Sequence, residues 1–348
     1  MAEEAGDNPD IRSLHVITAQ GNKVAADLVI MAVGMQPRKG LAFAVGLNVG
    51  KLGVSINEHL QTYDPEIYAV GDMTENADLV TNRPASGALA GPASRQGVWL
   101  QTTSVAGTFM TIASTGISVH TAKTLTFNIE WVTIHPPSHA AYYPGSWLMT
   151  WRVVFDREIG LVLGAQVTGI EGVDERIDAL ATCIQAAMTM HDLEHLELSL
   201  TPRYSSTKGP VNMAGFAGGN VVDGDKRILH SEDLASLTDD WELVDVRSEE
   251  DFFGVHLRGA INVPLEHLHG SAKALIVQAK CILLYCEVGY RGYLAYRILS
   301  QMGWDVYNLD GGYKSVVEGG VHLPHDKATR RIHECTKISG GELNSRIR

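Results

Sequence analysis

A short segment near the C-terminal end of the sequence, residues 286–292, combines a cysteine with an arginine five positions later. It follows an apolar run of strand length and precedes a helical pattern, so Cys286 is predicted where a buried strand ends and a helix begins. Backbone amides converge at such a junction and stabilise an anion, which favours a nucleophilic thiolate. Gly289 would let the loop curl, and Arg291 would bind an anionic substrate. This chemistry requires an accessible sulfur; the alternative is a small buried apolar residue at a strand end.

The elements that must position this loop alternate between strands and helices. Apolar runs predict strands at 242–246, 260–264, 281–286 and 306–309, and the pattern at 292–302 predicts a helix. This order predicts a compact three-layer α/β domain over residues 226–325, followed by a loose polar tail at 326–348. Cys281 lies five residues before Cys286, so it is predicted on the opposite face of the strand, in the core.

Three ordered motifs in this domain, at residues 243–264, 286–291 and 308–313, resemble the signatures of rhodanese sulfurtransferases. The resemblance implies that Cys286 carries a persulfide and that Arg291 steers the sulfur donor. The loop length, Cys-x4-Arg, matches sulfurtransferases rather than the related phosphatases, whose loop is one residue longer. Asp245 and Arg247 are expected to brace the fold. The remaining residues of the implied substrate loop are Glu287, Val288, Gly289, Tyr290 and Gly292.

The N-terminal third of the chain has an α/β pattern of its own. Apolar runs at 28–33 and 67–70 predict strands of a parallel sheet buried on both faces, and small residues at 85–103 predict a helix. The second run leads to Gly71 and Asp72. A carboxylate at the end of a strand can accept hydrogens from cofactor hydroxyls, and the glycine permits close approach. The alternative is that Asp72 caps the next helix.

Residues 62–72 resemble the second flavin fingerprint of the pyridine nucleotide-disulfide oxidoreductases, and residues 29–37 and 85–97 resemble two further segments of that family. The resemblance implies FAD and NAD(P)H as cofactors. The residues that it places at the flavin are Gly71, Asp72, Leu89 and Ala90.

The middle of the chain predicts a different architecture, with an antiparallel hairpin within 124–165 and a helix over 173–190 packed on the sheet. Residues 209–225 carry five glycines and little periodicity, and a linker is placed near their end. Segments at 135–145, 163–166, 171–178 and 202–215 resemble the dimerisation domain of coenzyme A-disulfide reductases, in the subset with a fused C-terminal rhodanese. That resemblance implies a homodimer acting on a coenzyme A disulfide or persulfide.

In that family, tyrosines of the dimerisation domain reach the partner subunit's substrate thiolate. The resemblance carries this role to Tyr204 and to either Tyr142 or Tyr143, with Tyr143 preferred, as hydrogen-bond donors to a sulfur anion. A tyrosine of the core or the dimer interface without chemistry is the alternative.

Other residues that such a flavoenzyme uses are not found in this sequence. None of its 35 glycines form a Gly-x-Gly pair, and no cysteine precedes Cys183, which is predicted in the core. We therefore expect a C-terminal part of such an enzyme, with a partial FAD/NAD(P)-binding region at 1–105 and a dimerisation domain at 106–222. The segment before Thr121 is shorter than in the family, which predicts that the sheet loses a strand.

The composition and net charge of the chain make several partners and sites unexpected. The formal net charge of −12 argues against nucleic acid or an anionic membrane as the main partner, and four cysteines make no disulfide framework. No signal segment or membrane span is recognisable, so a cytoplasmic location is expected. The histidine pairs at 191 and 195 and at 267 and 269 lack the neighbours of a metal site, so no metal is expected.

The combined prediction is a multidomain α/β and α+β protein related to FAD- and NAD(P)H-dependent reductases of coenzyme A disulfides or persulfides. In this chain the enzymatic activity expected is sulfur transfer through a Cys286 persulfide, with the reductase part incomplete and inactive. The alternative is a non-catalytic dimerisation or interaction protein derived from that enzyme.

Overall fold

The computed structural model describes residues 2–4, 14–31, 36–57, 59–86, 102–106, 110–238, 240–269 and 281–319. They divide into two compact units, one of residues 1–77 and 83–99 and one of residues 78–82 and 100–348. Within the described residues, no helix combines the length and the apolar character that crossing a bilayer requires. Leu89, Ala90 and the tail at 326–348 lie outside the described residues.

In the described part of the N-terminal unit there are two small three-stranded sheets and one short helix. Its elements are β1 (Ala2–Glu4), β2 (Leu14–Ile17), β3 (Lys23–Ala26), α1 (Gly40–Ala44), β4 (Val54–Ser55), β5 (Thr74–Ala77) and β6 (Pro84–Ser86). The first sheet is antiparallel throughout, and in the second β5 pairs parallel with β4 and antiparallel with β6. The core of this unit is small, with Ala42, Val54 and Ala69 as its buried apolar residues in the described part of the chain.

The two buried strands predicted in this unit do not form. Leu28 to Met31 has no strand structure, and Ile30 and Met31 are each 80% exposed. Tyr68 makes only an isolated bridge to Gln61. A strand is buried on both faces only when neighbouring strands and covering helices are present, and the described residues around these runs supply neither. The prediction of a helix at 85–103 is also wrong at both ends, which lie in the strands Pro84–Ser86 and Thr102–Ala106.

The middle of the chain forms a region that we call the antiparallel region, residues 102–222. Its strands are β7 (Thr102–Ala106), β8 (Thr111–Gly116), β9 (Ile129–Ile134), β10 (Thr150–Asp156) and β11 (Val162–Gly169), in the order β7-β8-β11-β10-β9 and antiparallel throughout. Its helices are α2 (Val119–Thr124), α3 (Val173–Gln185), α4 (Met190–Glu194) and α5 (Pro210–Val222). Trp151, Phe155, Ile177 and Leu180 are fully or almost fully buried in the core between sheet and helices.

Three details of this region differ from the sequence prediction. The predicted loss of a strand before Thr121 is not seen, since β7 pairs antiparallel with β8. Helix α3 ends at Gln185 because the chain turns at Ala187, whose φ is +53°. The glycine-rich segment is helix α5, and a Cβ on Gly215 or Gly218 would meet Leu193 or Met190 of α4, so these glycines permit close helix packing rather than an irregular chain.

The C-terminal part forms a second region, the parallel region, residues 226–319. Its strands are β12 (Ile228–Leu229), β13 (Trp241–Asp245), β14 (Ile261–Asn262), β15 (Cys281–Tyr285) and β16 (Val306–Leu309), parallel and in the order β12-β16-β15-β13-β14. Its helices are α6 (Glu249–Gly254), α7 (Tyr290–Gln301) and α8 (Gly312–Glu318). Buried residues cover both faces of the sheet, as predicted for a three-layer domain.

The antiparallel and parallel regions are joined by a buried polar interface. Asp310 accepts a hydrogen bond at 2.7 Å from the backbone N–H of Thr133, on the edge strand β9. His230 stacks on Trp131 with ring centroids 3.6 Å apart, and its Nε2 lies 2.9 Å from Glu130. Contacts of this kind, with few degrees of freedom, fix one orientation of the two regions.

The pKa values of two histidines in this interface are shifted in opposite directions. Burial lowers the pKa of His230, but hydrogen bonds and charges from Asp310 and Glu130 outweigh that effect and raise it to about 9. Burial lowers the pKa of His135 to about 4, against a smaller opposing effect of Glu318. His230 is therefore a cation in the interface at neutral pH, whereas His135, bonded at 2.9 Å to Ser315, is neutral.

Candidate active site

The structure places Cys286 directly after β15, with α7 beginning four residues later. Gly289, the residue before α7, has φ +92°, a left-handed conformation that favours glycine. Because the first turn of a helix has amides without intrahelical acceptors, the N-terminus of α7 presents donors and a positive dipole end at this loop. The strand–loop–helix geometry predicted from the sequence is confirmed.

A second backbone segment closes the other side of the loop. The amides of Tyr313 and Lys314 donate to the carbonyls of Cys286 and Glu287 at 2.8 and 2.9 Å. Gly312 fits between them only because it lacks a side chain, since a Cβ there would lie 2.5 Å from the Cys286 carbonyl oxygen. The motif at 308–313 thus supports the motif at 286–291 directly.

Asp245 and Arg247 brace the loop from the end of β13. The guanidinium donates to the Asp245 carboxylate at 2.8 to 3.1 Å, and its Nη1 donates to Glu287 at 2.9 Å. Burial alone would lower the pKa of Arg247, but its hydrogen bonds to Asp245 raise it. A permanently charged, buried arginine therefore connects the strand end to the loop.

The accessibility expected for Cys286 is not seen, whereas the role predicted for Arg291 stays a prediction. Cys286 is only 1% exposed and packs among the apolar residues between the sheet and α7, so the accessible sulfur expected from the sequence is absent from this conformation. The Arg291 guanidinium, expected to bind substrate, lies 3.7 Å from the Asp251 carboxylate. Glu287 and Tyr290 are the exposed residues of the loop, and Val288 and Arg291 are partly exposed. Cys281 is half-buried and donates to Asp305 at 3.2 Å, so it is not the core residue predicted.

Sequence reasoning also missed a buried lysine. Lys226 is 8% exposed and lies just before β12, in a connector whose sequence gave no functional signal. Burial lowers its pKa, while the charges of Asp310 and Cys286 raise it. Its sequence neighbours Asp225 and Arg227 are charged, so no local pattern distinguishes this lysine from an exposed one.

The tyrosines predicted to serve a reductive site lie on the surface of the antiparallel region. The side chain of Tyr204 is exposed, and that residue lines a cavity of about 140 Å³ together with Ser138, Arg176 and Arg203. Tyr143 packs edge-on against His139, another lining residue, with ring centroids 5.8 Å apart. The structure therefore brings both tyrosines to one surface.

The structure describes two of the four residues predicted to bind the flavin, Gly71 and Asp72. Gly71 has φ +94°, and Asp72 is exposed and leads into strand β5 rather than into a helix, so it is not a helix cap. Tyr68 and Val70 on the same segment are exposed. Leu89 and Ala90, the other two residues assigned to the flavin, lie outside the described residues.

Comparison with known proteins agrees with this architecture. Three family models match in order: pyridine nucleotide-disulphide oxidoreductase at residues 1–97, its dimerisation domain at 102–208, and the rhodanese-like domain at 230–318. The chain therefore carries two domains of the pyridine nucleotide-disulphide oxidoreductases, followed by a rhodanese-like domain. The oxidoreductase domains imply FAD and NAD(P)H as cofactors.

Similar proteins include a coenzyme A disulfide reductase of Staphylococcus haemolyticus, 30% identical over 58% of this chain and 50% of the relative. An NADH oxidase of Methanocaldococcus jannaschii is 29% identical over 58% of this chain and 48% of its own length. The chain thus spans about half the length of these curated relatives.

Two solved structures are similar over most of the chain. Reduced Bacillus anthracis CoADR-RHD is 34% identical with a TM-score of 0.83, covering 92% of this chain and 59% of the other. An NAD-dependent persulfide reductase from A. fulgidus is 28% identical with a TM-score of 0.76, covering 89% and 59%. The fold class predicted from the sequence, with a C-terminal rhodanese-like domain, is confirmed.

Proposed function

We propose that this chain transfers sulfur through a persulfide on Cys286. The observation that carries the proposal is the position of that cysteine between the end of β15 and the positive end of α7, braced by Gly312 and Arg247. The match of residues 230–318 to the rhodanese-like family supports it.

The proposed chemistry conserves electrons. The thiolate of Cys286 attacks the outer sulfur of a donor such as thiosulfate, a new sulfur–sulfur bond forms, and the donor's own sulfur–sulfur bond breaks. Sulfite leaves with the electron pair. An acceptor thiolate then attacks the terminal sulfur and regenerates the Cys286 thiolate. Because the cysteine is buried, the loop must open between Glu287 and Tyr290 to admit the donor.

Mass spectrometry of the intact chain tests this proposal. After treatment with thiosulfate, the unsubstituted chain should gain the mass of one sulfur atom, and Cys286→Ser should not. Cys281→Ser is the matched control, since Cys281 lies on the same strand outside the loop, and it should react like the unsubstituted chain. Equal reaction in Cys286→Ser would overturn the proposal.

The burial of Cys286 and the pairing of Arg291 with Asp251 favour a second candidate, a non-catalytic dimerisation or interaction protein. That candidate expects no added sulfur on Cys286 after donor treatment. The same mass measurement therefore separates the two functions.

The reductase part is proposed to be inactive in this chain as it stands. This proposal is supported by the absence of a Gly-x-Gly pair from the sequence and by the exposure of Asp72. We expect purified protein without flavin absorbance. Visible flavin absorbance with stoichiometric FAD would contradict this part of the proposal.

A homodimer acting with a coenzyme A disulfide or persulfide is proposed on the resemblance to the reductases named above. The exposed Tyr204 and Tyr143 would then donate hydrogen bonds to the partner subunit's substrate sulfur. Sedimentation of the purified chain should give twice the mass of one chain, and a monomer at micromolar concentration would contradict the dimer.

A further inference from the structure

Residues 310–315, which we call the closing segment, lie between strand β9 and the Cys286 loop. A Cβ on Gly312 would lie 2.5 Å from the Cys286 carbonyl oxygen, and a Cβ on Gly311 would lie 3.0 Å from the Thr133 methyl carbon. Both glycines have φ +66°, a conformation that favours glycine. The backbone of the closing segment therefore contacts the loop on one side and the antiparallel region on the other.

Hydrogen bonds fix the closing segment to the loop. The amides of Tyr313 and Lys314 donate to the carbonyls of Cys286 and Glu287 at 2.8 and 2.9 Å. These bonds hold the loop in the conformation in which the cysteine is 1% exposed. A displacement of the closing segment would therefore remove two contacts that keep the loop closed.

Two residues of β9 fix the closing segment on its other side. The Thr133 amide donates to Asp310 at 2.7 Å, and His135 Nε2 lies 2.9 Å from the Ser315 hydroxyl oxygen. The first contact is at the start of the closing segment and the second is at its end. All four residues are buried, so the loss of either contact leaves a buried polar group without that partner.

The direction of the His135 hydrogen bond follows from its other neighbour. The Thr150 hydroxyl donates to Glu318 at 2.8 Å, so its oxygen accepts from His135 Nδ1, which is 3.0 Å away. In the neutral imidazole Nε2 is then the acceptor, and it receives the hydroxyl hydrogen of Ser315. A side chain with an acceptor oxygen can replace this function, whereas an apolar side chain cannot.

We propose that strand β9 regulates access to Cys286, because Thr133 and His135 hold the closing segment against the loop and the loop opens when this contact is released. Both are positioning residues, since they act on the cysteine only through the closing segment. Contiguous hydrogen-bonded contacts of this kind carry coupling between separate parts of a protein. The inference deepens the proposed sulfur transfer and rests on it, since the antiparallel region then controls when a sulfur donor reaches the cysteine.

Substitutions on both sides of one hydrogen bond test the proposal. His135→Leu removes the acceptor, Ser315→Ala removes the donor, and the double variant removes both. His135→Gln is the conservative variant, because it keeps an acceptor oxygen. Arg152→Ala is the matched control, because Arg152 pairs with Thr133 across the strands but has its ion pair with Glu232, outside the closing segment.

The readout is the rate at which methyl methanethiosulfonate, a small thiol reagent, labels Cys286 at neutral pH, followed by mass spectrometry of the Cys286 peptide. We expect His135→Leu and Ser315→Ala each to speed labelling by about tenfold, the effect of one lost buried hydrogen bond. The double variant should label within about twofold of the faster single variant, because both substitutions remove the same contact. His135→Gln and Arg152→Ala should label within about twofold of the unsubstituted chain.

Labelling with and without about 1 M urea separates local opening from unfolding. Local opening exposes little surface, so the Cys286 rate should hardly depend on urea. Cys183, buried in the core of the antiparallel region, should remain the slower of the two cysteines in every variant. Unchanged Cys286 labelling in either single variant would overturn the proposal, as would additive effects in the double variant or an acceleration that rises steeply with urea.

Labelling does not depend on sulfur transfer, so the two proposals can fail separately. If the expected pattern is observed but thiosulfate adds no sulfur to Cys286, the control of access by β9 stands and the sulfurtransferase function is overturned. If thiosulfate adds sulfur but every variant is labelled at the same rate, the sulfurtransferase function stands and the control by β9 is overturned.

Discussion

Two apolar runs of similar composition behave differently in the two units of the molecule. Residues 282–285 form a strand with every side chain buried, whereas residues 28–31 form no strand and are largely exposed. The first run lies between parallel neighbours β13 and β16 and is covered by α7, while the second has no strand partner among the described residues. An apolar run therefore becomes a buried strand only where the surrounding chain provides both edges and both faces.

The same contrast applies to the two functional motifs. The motif around Cys286 is supported by backbone contacts from Gly312 and side-chain contacts from Arg247. The motif ending at Asp72 has a correct glycine conformation but an exposed carboxylate and exposed neighbours. A sequence motif indicates ancestry in both cases, and the supporting contacts distinguish a formed site from an isolated fingerprint.

The largest expected effect tests the difference in core packing between the units. Phe155 is fully buried in the antiparallel region, so Phe155→Ala should lower the free energy of unfolding by about 3 to 5 kcal/mol through cavity formation. Ile30→Ala, at a position 80% exposed, should change it by less than about 0.5 kcal/mol. Urea unfolding followed by tryptophan fluorescence measures both, and a comparable loss in Ile30→Ala would break the comparison.

The buried ion pair beside the loop should be nearly as sensitive. Asp245 is fully buried and bonded to the Arg247 guanidinium, so Asp245→Ala leaves a buried charge uncompensated and should destabilise the parallel region by about 3 kcal/mol. Thermal unfolding of the variant measures the effect. A loss below about 1 kcal/mol would show that the brace is not structural.

Fold stability measured over a range of pH should show the effects of both interface histidines. The raised pKa of His230 stabilises the fold fully below about pH 6.5, and this contribution is lost as the pH rises toward about 9. The lowered pKa of His135 acts in the other direction, with stability present above about 6.5 and lost as the pH falls toward about 4. Each contribution is on the order of 3 kcal/mol, because each pKa differs by about 2.5 from the ordinary histidine value of 6.5.

Substitutions of each histidine test which one causes the loss of stability at high pH and which one at low pH. The stability difference between the unsubstituted chain and His230→Gln should shrink between pH 6.5 and 9, and the difference for His135→Gln should shrink between pH 6.5 and 4. Urea unfolding across this range provides the measurement. A flat difference for either variant would contradict the environment described for that histidine.

The smallest effect concerns the outer rim of the same interface. Arg152 lies 3.3 Å from Glu232, with about a third and nearly half of the two side chains exposed. A double-mutant cycle with Arg152→Ala and Glu232→Ala should give a coupling energy below about 1 kcal/mol, because solvent screens exposed pairs. A coupling as large as the effect of Asp245→Ala would show that the rim, rather than the buried cluster, joins the regions.

Much of the parallel region could be predicted from the sequence. The strands near 242–246, 281–286 and 306–309, the helix after Gly289 and the bracing pair Asp245–Arg247 follow from local apolar patterns and loop motifs. Helix α5 could not be predicted, because its glycines are explained only by the neighbouring α4. The burial of Lys226 and of Cys286 depends on residues distant in sequence, which a local pattern does not reveal.

The hydrogen bond from the Thr133 amide to Asp310 has a consequence for association. Strand β9 is the outer strand of its sheet, and an outer strand with unsatisfied amides can template pairing with a strand of another molecule. The Asp310 carboxylate of the same chain accepts the hydrogen bond of one of those amides. Proteolytic removal of the region beyond residue 226 would therefore uncover this border and promote intermolecular strand pairing.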